Sequence, residues 1–329
     1  VYKRQLTDRI HRLEPDFDGQ FIPLKISGEE PDPDAPRFKK PDTGMAIPPV
    51  AALAIGADAV IKRPGNVTPQ DLTHSRQLLA TIPDTVKNEL SDILGSLSAT
   101  CALLLDKDPA VKTRQIEDLQ KVVPAAVLRQ ILLLADELKD LSPRLRLPIL
   151  DLALPSLRQM SARQYAKFRQ MIRILVESDA RLSLFEFALQ EILTHRLGAI
   201  FKRQKREIVY KNMGSLALDA VNILSKLAEV GHPEEIAAHA AFNCGWVKLS
   251  IKDSRWKKLP VQKVSFSALR VALKRFSLAT PAIKQALLDA CAHCVLHDEH
   301  VTVKEAELVR AIAYALDIPL PPFLEAVPD

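Results

Sequence analysis

Cysteine and histidine recur every third residue near the end of this chain, as Cys291, Cys294, His297 and His300. On a helix each such step turns back by about 60°, so Cys291, Cys294 and His297 share a face and His300 drifts off it. Thiolate and imidazole are zinc-ligand types, which makes the first three the candidate metal set. Against that reading, both Cys lie in the apolar run 287–296, where a cysteine behaves as a small hydrophobe. Zinc ligands also ordinarily come from two segments, and no second Cys/His group presents itself. His297-Asp-Glu-His300 has its two His three apart, so it is not the His-Glu-x-x-His of zinc proteases. A glycine-rich phosphate loop and a Gly-x-Ser-x-Gly elbow are both lacking. No catalytic residue and no cofactor is therefore assigned, and the expectation is that no metal is held here.

Paired acids offer a second chemistry. Asp179-Ala-Arg-Leu-Ser183-Leu-Phe-Glu186 and Asp298-Glu-His-Val-Thr302-Val-Lys-Glu305 repeat one pattern. Each pair of carboxylates could meet across a turn and hold a cation, but neither has the alternating Asp ladder of a calcium loop. Helix capping accounts for all of them. Ser183 and Thr302 take the amide of the third helical residue, and Glu186 and Glu305 reach back to the cap amide. Asp179 and Asp298 stand in the preceding turn, where they can satisfy free amides or the positive end of the new helix. Each copy then reads as a helix, an Asp turn and a second helix.

Charge is the third feature. The net charge is +5, yet residues 196–275 hold 16 Lys and Arg against 6 Asp and Glu, a local +10 that leaves −5 elsewhere. Lys202, Arg203, Lys205, Arg206, Lys252, Arg255, Lys257 and Lys258 are the residues expected to meet an anionic membrane surface or a partner. A solvated helix face with a basic loop is the plainer account. Nucleic acid is disfavoured, because only Trp246 and Trp256 interleave with these charges as stacking platforms.

The elements that must position these groups read as helices. The chain has 329 residues, 47% of them hydrophobic, with 10 Gly and 23 Pro. That length allows two or three domains, and the Pro excess points to Pro-started helices rather than to turn-rich β structure. Asp108-Pro109, Ser142-Pro143, Thr280-Pro281 and Thr68-Pro69 each read as a cap with Pro at the first helical position, and Ser161-Ala-Arg-Gln164 as a capping box. Leu128, Ile131, Leu132, Ala135 and Leu138 form one apolar stripe; Phe168, Met171, Ile172 and Leu175 form another. About ten to twelve helices are expected, broken at Gly231-His-Pro233 and at 252–264, with no strand alternation. Residues 14–43 form a Pro- and Asp-rich connector, and 46–61 are ambiguous between helix and strand. The uncharged run Ala46–Ala57 contains Pro48 and Pro49 and falls short of the roughly 20 residues that span a bilayer. Four Cys at irregular spacing fit a reducing compartment better than a disulfide framework. Val1-Tyr-Lys-Arg-Gln5 lacks an initiator Met, and the chain is expected to be a piece of something longer.

Three stretches carry a family resemblance. Leu6-Thr-Asp-Arg9-Ile10 through Pro15-Asp-Phe17-Asp18-Gly19 resembles the end of the protease domain in HtpX-like membrane zinc metallopeptidases. Ala102-Leu-Leu-Leu-Asp106-Lys-Asp108-Pro109 through Arg114-Gln115, continued by Leu147-Pro148 through Asp151 to Leu157-Arg158, is similar to the C-terminal extension of one bacterial subgroup of that family. The duplicated Asp and capping-box units resemble the helical repeat of the TerB-like fold, although Ala180 and Glu299 stand where that repeat usually has Gly after the Asp.

The resemblance implies an all-α chain of stacked helical hairpins behind an extended N-terminal connector. Residues 1–45 would be the end of the protease domain plus linker, 46–150 a helical middle domain, and 151–329 a TerB-like domain with a basic insert near 196–275. The parent's zinc and its His-Glu-x-x-His would lie in a protease domain before Val1, and no catalytic or zinc residue transfers onto this chain. The implied function is a non-catalytic accessory region on the cytoplasmic side of the bacterial inner membrane. Its partners would be the membrane surface, its own protease domain or protein substrates. The alternative is a free-standing helical scaffold for protein interactions.

Overall fold

The structure, a computed structural model, describes residues 80–178, 181–201, 207–251, 261 and 263–318. Expectations for 1–79, for Asp179 and for Lys202, Arg203, Lys205, Arg206, Lys252, Arg255, Lys257 and Lys258 lie outside the described residues. Within them the chain is all-helical: twelve α-helices and three 3-10 turns, and no strand. Among the described residues, extended backbone pairs only in one isolated parallel bridge between Tyr210 and Ala279.

Seven helices enclose the first core: α1 (Asp84–Glu89), α2 (Ile93–Ala102), α3 (Pro109–Gln120), α4 (Ala125–Leu138), α5 (Arg146–Leu157), α6 (Ala162–Glu177) and α7 (Leu184–Phe201). Small residues put α2 at the centre, packed against both α4 and α5. Gly95, Ser96, Ser98, Ala99 and Thr100 are buried in succession, all round the helix. A Cβ on Gly95 would stand 2.0 Å from the Glu89 carbonyl oxygen, so only glycine lets α2 follow α1 so closely. The hydroxyls of Ser96 and Ser156 both donate to the Leu90 carbonyl at 2.8 Å, tying α2 and α5 to the same turn.

The motif around Asp106 and Asp108 is structural. Asp108 Oδ1 accepts from the amides of Ala110 (2.8 Å) and Val111 (3.3 Å), with Pro109 at the first helical position of α3. Gln115 is fully buried, and its amide donates to the carbonyls of Leu104 (3.1 Å) and Leu175 (2.8 Å) while its oxygen accepts from Asp106 N (2.8 Å). One side chain so joins α3, the loop before it and the end of α6. In the first stripe Leu128, Ile131 and Leu138 are buried and Leu132 and Ala135 half-buried, with Leu134 buried beside them; in the second Phe168, Met171, Ile172 and Leu175 are all buried. Each such side chain contributes about 1.5–3 kcal/mol on leaving water.

The second core lies among α8 (Ala217–Gly231), α9 (Glu235–Lys248), α10 (Phe266–Ser277), α11 (Pro281–Val295) and α12 (Val303–Ala315). Here α8 is central and touches the other four. Gly245 of α9 is pressed on α11: a Cβ there would be 2.6 Å from the Ala290 carbonyl oxygen. The two cores interlock through one helix pair. α7 packs along α12; Phe187 of α7 belongs to the second core and Tyr314 of α12 to the first. The first core runs through residues 82–201, so the sequence-drawn boundary at 150 falls inside α5.

Three capping boxes form as spaced. Gln164 and Ser161 exchange bonds ahead of α6. Ser183 N donates to Glu186 Oε2 at 2.7 Å ahead of α7. Thr302 N donates to Glu305 Oε2 at 2.9 Å ahead of α12. In the turn before α12, Asp298 Oδ1 accepts from His300 N at 3.0 Å, the role expected for that Asp.

Two glycines in helices separate close approach from mere tolerance. Gly95→Ala is expected to lower stability by about 1–3 kcal/mol, the scale of overpacking. Gly198→Ala, whose Cβ meets nothing within 4 Å, is expected to raise it by about 1 kcal/mol through helix propensity. Urea unfolding of the two variants checks the pair; losses of equal size would refute the packing account of α2.

Candidate functional site

A polar seam runs where α5, α7 and α12 meet. Glu307, Arg310 and Tyr314 stand at helical spacing on α12 and turn toward α5. Arg310 Nη2 donates to Asp151 Oδ2 at 2.6 Å, and the Tyr314 hydroxyl donates to Asp151 Oδ1 at 2.8 Å. The Arg196 guanidinium of α7 lies over the Tyr314 ring, 4.3 Å from its centroid. Arg146 of α5 lies over the Phe185 ring of α7 at 5.0 Å. Glu307 is buried, and its Oε1 has no hydrogen-bond partner. Burial pushes its carboxyl up to about 7, against the opposing pull of Arg146 and Lys304.

A cleft of about 940 Å³ opens over α7 between α6 and α10. Tyr165, Arg169, Arg173, Thr194, Gly198 and Lys274 are among its lining residues. Glu191 anchors its floor. Its Oε1 accepts from Arg270 Nε at 2.7 Å, and its Oε2 is 3.6 Å from His195 Nε2. Burial would raise this carboxyl, but the His195 and Arg270 bonds and charges outweigh it and hold it below the ordinary carboxylate range.

The third site is a histidine pair at the end of α8. His232 caps that helix, and His297 sits in the 3-10 turn Leu296–Asp298 that follows α11. Their rings meet edge to face with centroids 5.3 Å apart. His232 Nδ1 is 3.8 Å from Asp298 Oδ2. Donor atoms of His232, His297 and Asp298 all lie within 4.8 Å of one another, the one such His/Cys/Asp/Glu group among the described residues. His232 Nε2 and His297 Nδ1 are buried with no hydrogen-bond partner. Beside them Gly231 makes room for a carboxylate: a Cβ there would be 2.0 Å from Glu305 Oε1. Burial raises Glu305, and the nearby Asp298 charge raises it further against the Thr302 bonds that lower it.

The spaced Cys/His set is divided by the structure. Cys291 and Cys294 are buried in the second core, and Cys294 Sγ points to the Leu224 carbonyl at 3.9 Å. Burial pushes the Cys291 thiol up to about 12 and that of Cys294 well above its ordinary value, so neither offers a thiolate. His297 keeps other company, and His300 Nδ1 pairs with the Asp298 carbonyl at 2.8 Å. His232, missed in the sequence, was signalled only by its place in the Gly-His-Pro helix break.

Several cations of the basic stretch are spent on acids. Arg275 Nη1 is 3.1 Å from Asp219 Oδ2, Lys226 pairs with Glu229 at 3.2 Å, and Arg270 holds Glu191. Trp246 stacks on Phe242 with centroids 5.9 Å apart. No helix among the described residues is long and apolar enough to cross a membrane. Comparisons with protein-family models, with curated proteins and with solved structures each find no match.

Glu307 supplies a pH test. A carboxyl raised to about 7 from 4.5 favours the fold when neutral and opposes it when ionised. Its stabilising contribution is intact below about pH 4.5 and is lost as pH rises through about 7. At about 1.4 kcal/mol per unit, the loss reaches about 3 kcal/mol. Glu307→Gln is expected to gain on the wild type by up to that amount near pH 8 and to differ little near pH 4. Denaturant unfolding at both pH values reads it, and a pH-independent difference would count against the assignment.

Proposed function

We propose that the chain is a non-catalytic helical accessory region of a membrane-bound zinc metallopeptidase, built as two TerB-like hairpin units that hold polypeptide near the protease. The observation that supports this reading most directly is the repeated entry into α7 and α12. Both helices begin with a hydroxyl–Glu box, and they pack along each other as the shared wall of two cores. Two copies of one helix–turn–helix unit, joined through their second helices, would make such a wall. The cleft over α7, mixed in apolar and charged lining, suits a polypeptide segment better than a small apolar ligand. Residues 202–206 and 252–258 supply the cations that would rest on an anionic leaflet. The catalytic zinc belongs to the parent's protease part in this reading, and no residue of this chain touches it. The free-standing scaffold is the second reading, favoured by the same cleft, and it lacks the protease partner.

Two measurements test the proposal. Reading the coding sequence upstream of Val1 is expected to continue in frame into membrane helices and His-Glu-x-x-His; an in-frame stop instead leaves the scaffold. In liposome flotation the chain is expected to float with anionic vesicles and to remain with the protein pool when vesicles are neutral. Each of Lys202, Arg203, Lys205 and Arg206 changed to Gln should weaken recovery by about fivefold in affinity, the equivalent of about 1 kcal/mol per charge. Equal recovery on neutral and anionic vesicles would end the membrane-facing part of the proposal.

A further inference from the structure

We infer that His232, His297 and Asp298 form a binding site for a transition-metal divalent cation of the zinc class. Three observations meet there. Their donor atoms gather within 4.8 Å, from two elements that are far apart in sequence, the end of α8 and the turn between α11 and α12. Two of the ring nitrogens are buried without any partner, although a neutral imidazole has one donor and one acceptor nitrogen to satisfy. His232 is only 8% exposed, so water does not replace the missing partner freely. Two carboxylates, Asp298 and Glu305, crowd the same place, and Gly231 is the residue whose small size admits the second.

A cation fits this donor set. It takes a lone pair from a ring nitrogen of each histidine and offsets the mutual repulsion of the two acids. Nitrogen, nitrogen and carboxylate donors favour Zn²⁺, Co²⁺ or Ni²⁺ over Mg²⁺ and Ca²⁺, which prefer all-oxygen shells. Three protein donors leave a fourth tetrahedral position for water. Donors about 2.1 Å from a tetrahedral ion lie about 3.4 Å apart, so binding draws the trio together by about 1 Å. Asp298 can supply that movement, since its side chain is 41% exposed and sits in the turn. The alternative occupation of Asp298, accepting His300 N, uses Oδ1 and leaves Oδ2 for the ion. The site is independent of the accessory-region reading and of any protease zinc. Metal binding here would pin the end of α8 to the entry of α12.

The test uses the full 329-residue chain, stripped with a chelator and titrated with Zn²⁺ by calorimetry and with Co²⁺ by visible absorption. One equivalent of Zn²⁺ is expected to bind, with Co²⁺ giving the intense bands of a tetrahedral site and Mg²⁺ no heat. His297→Ala should weaken Zn²⁺ at least about tenfold. Asp298→Asn, which keeps the amide-accepting oxygen of the turn, should weaken it as well and guards against a folding failure of the first variant. Cys244→Ala, the exposed alternative, should leave the affinity unchanged. Absence of a one-equivalent Zn²⁺ isotherm overturns the inference. So does an affinity that survives both His297→Ala and Asp298→Asn, or one that is lost in Cys244→Ala.

Discussion

Two hydrophobic cores share a wall made of α7 and α12, and that wall has to carry charge. Apolar packing alone would let two parallel helices slide, because it is non-directional. Asp151 of α5 holds α12 in place with both carboxylate oxygens, one taken by the Arg310 guanidinium and one by the Tyr314 phenol. A half-buried pair of this kind adds modest net stability, since desolvation and screening by solvent offset much of the attraction. The seam therefore acts mainly on register. It sets which turn of α12 faces which turn of α5, and the cation stacks of Arg196 on Tyr314 and Arg146 on Phe185 extend the constraint to α7.

Once α12 is set in register, its first turn is set too, and the histidine site follows from it. The Thr302 box fixes the Glu305 carboxylate beside the start of α12. Gly231 then has to end α8 against that carboxylate, which places His232 beyond it. The 3-10 turn after α11 brings His297 and Asp298 to the same place. Glu299 completes the turn at φ 64, a left-handed conformation that suits glycine and that a β-carbon makes less comfortable. The backbone at Glu299 adopts the conformation a glycine would take freely.

What was legible in the sequence was local. Ser161, Ser183 and Thr302 were readable as caps because a capping box is complete within four residues. The stripes of α4 and α6 were readable because burial follows the 3.6-residue period. The Asp151–Arg310 contact was not, with its partners 159 residues apart and each ordinary in its own helix. The Cys/His spacing led to a grouping that the fold does not make. Regular helix would have carried Cys291, Cys294 and His297 along one face. α11 instead ends at Val295, and His297 sits in the 3-10 turn that follows, where its donor atom groups with those of His232 and Asp298.

The same contrast explains why the histidine pair escaped a reading by spacing while the acids beside it did not. Asp298 and Glu305 carry a local signal, since capping is a short-range need of any helix start. His232 carries only the mark of a helix break, Gly231-His-Pro233; its pairing arises when the C-terminus of one helix meets the N-terminus of another. Helix ends leave backbone groups unpaired, so polar side chains gather there for reasons of folding alone. When two such ends converge in a buried corner, the polar side chains exceed what the backbone can satisfy. At α8 and α12 the surplus is two ring nitrogens and a carboxylate, and the chemistry of that surplus is the chemistry of a metal ligand set.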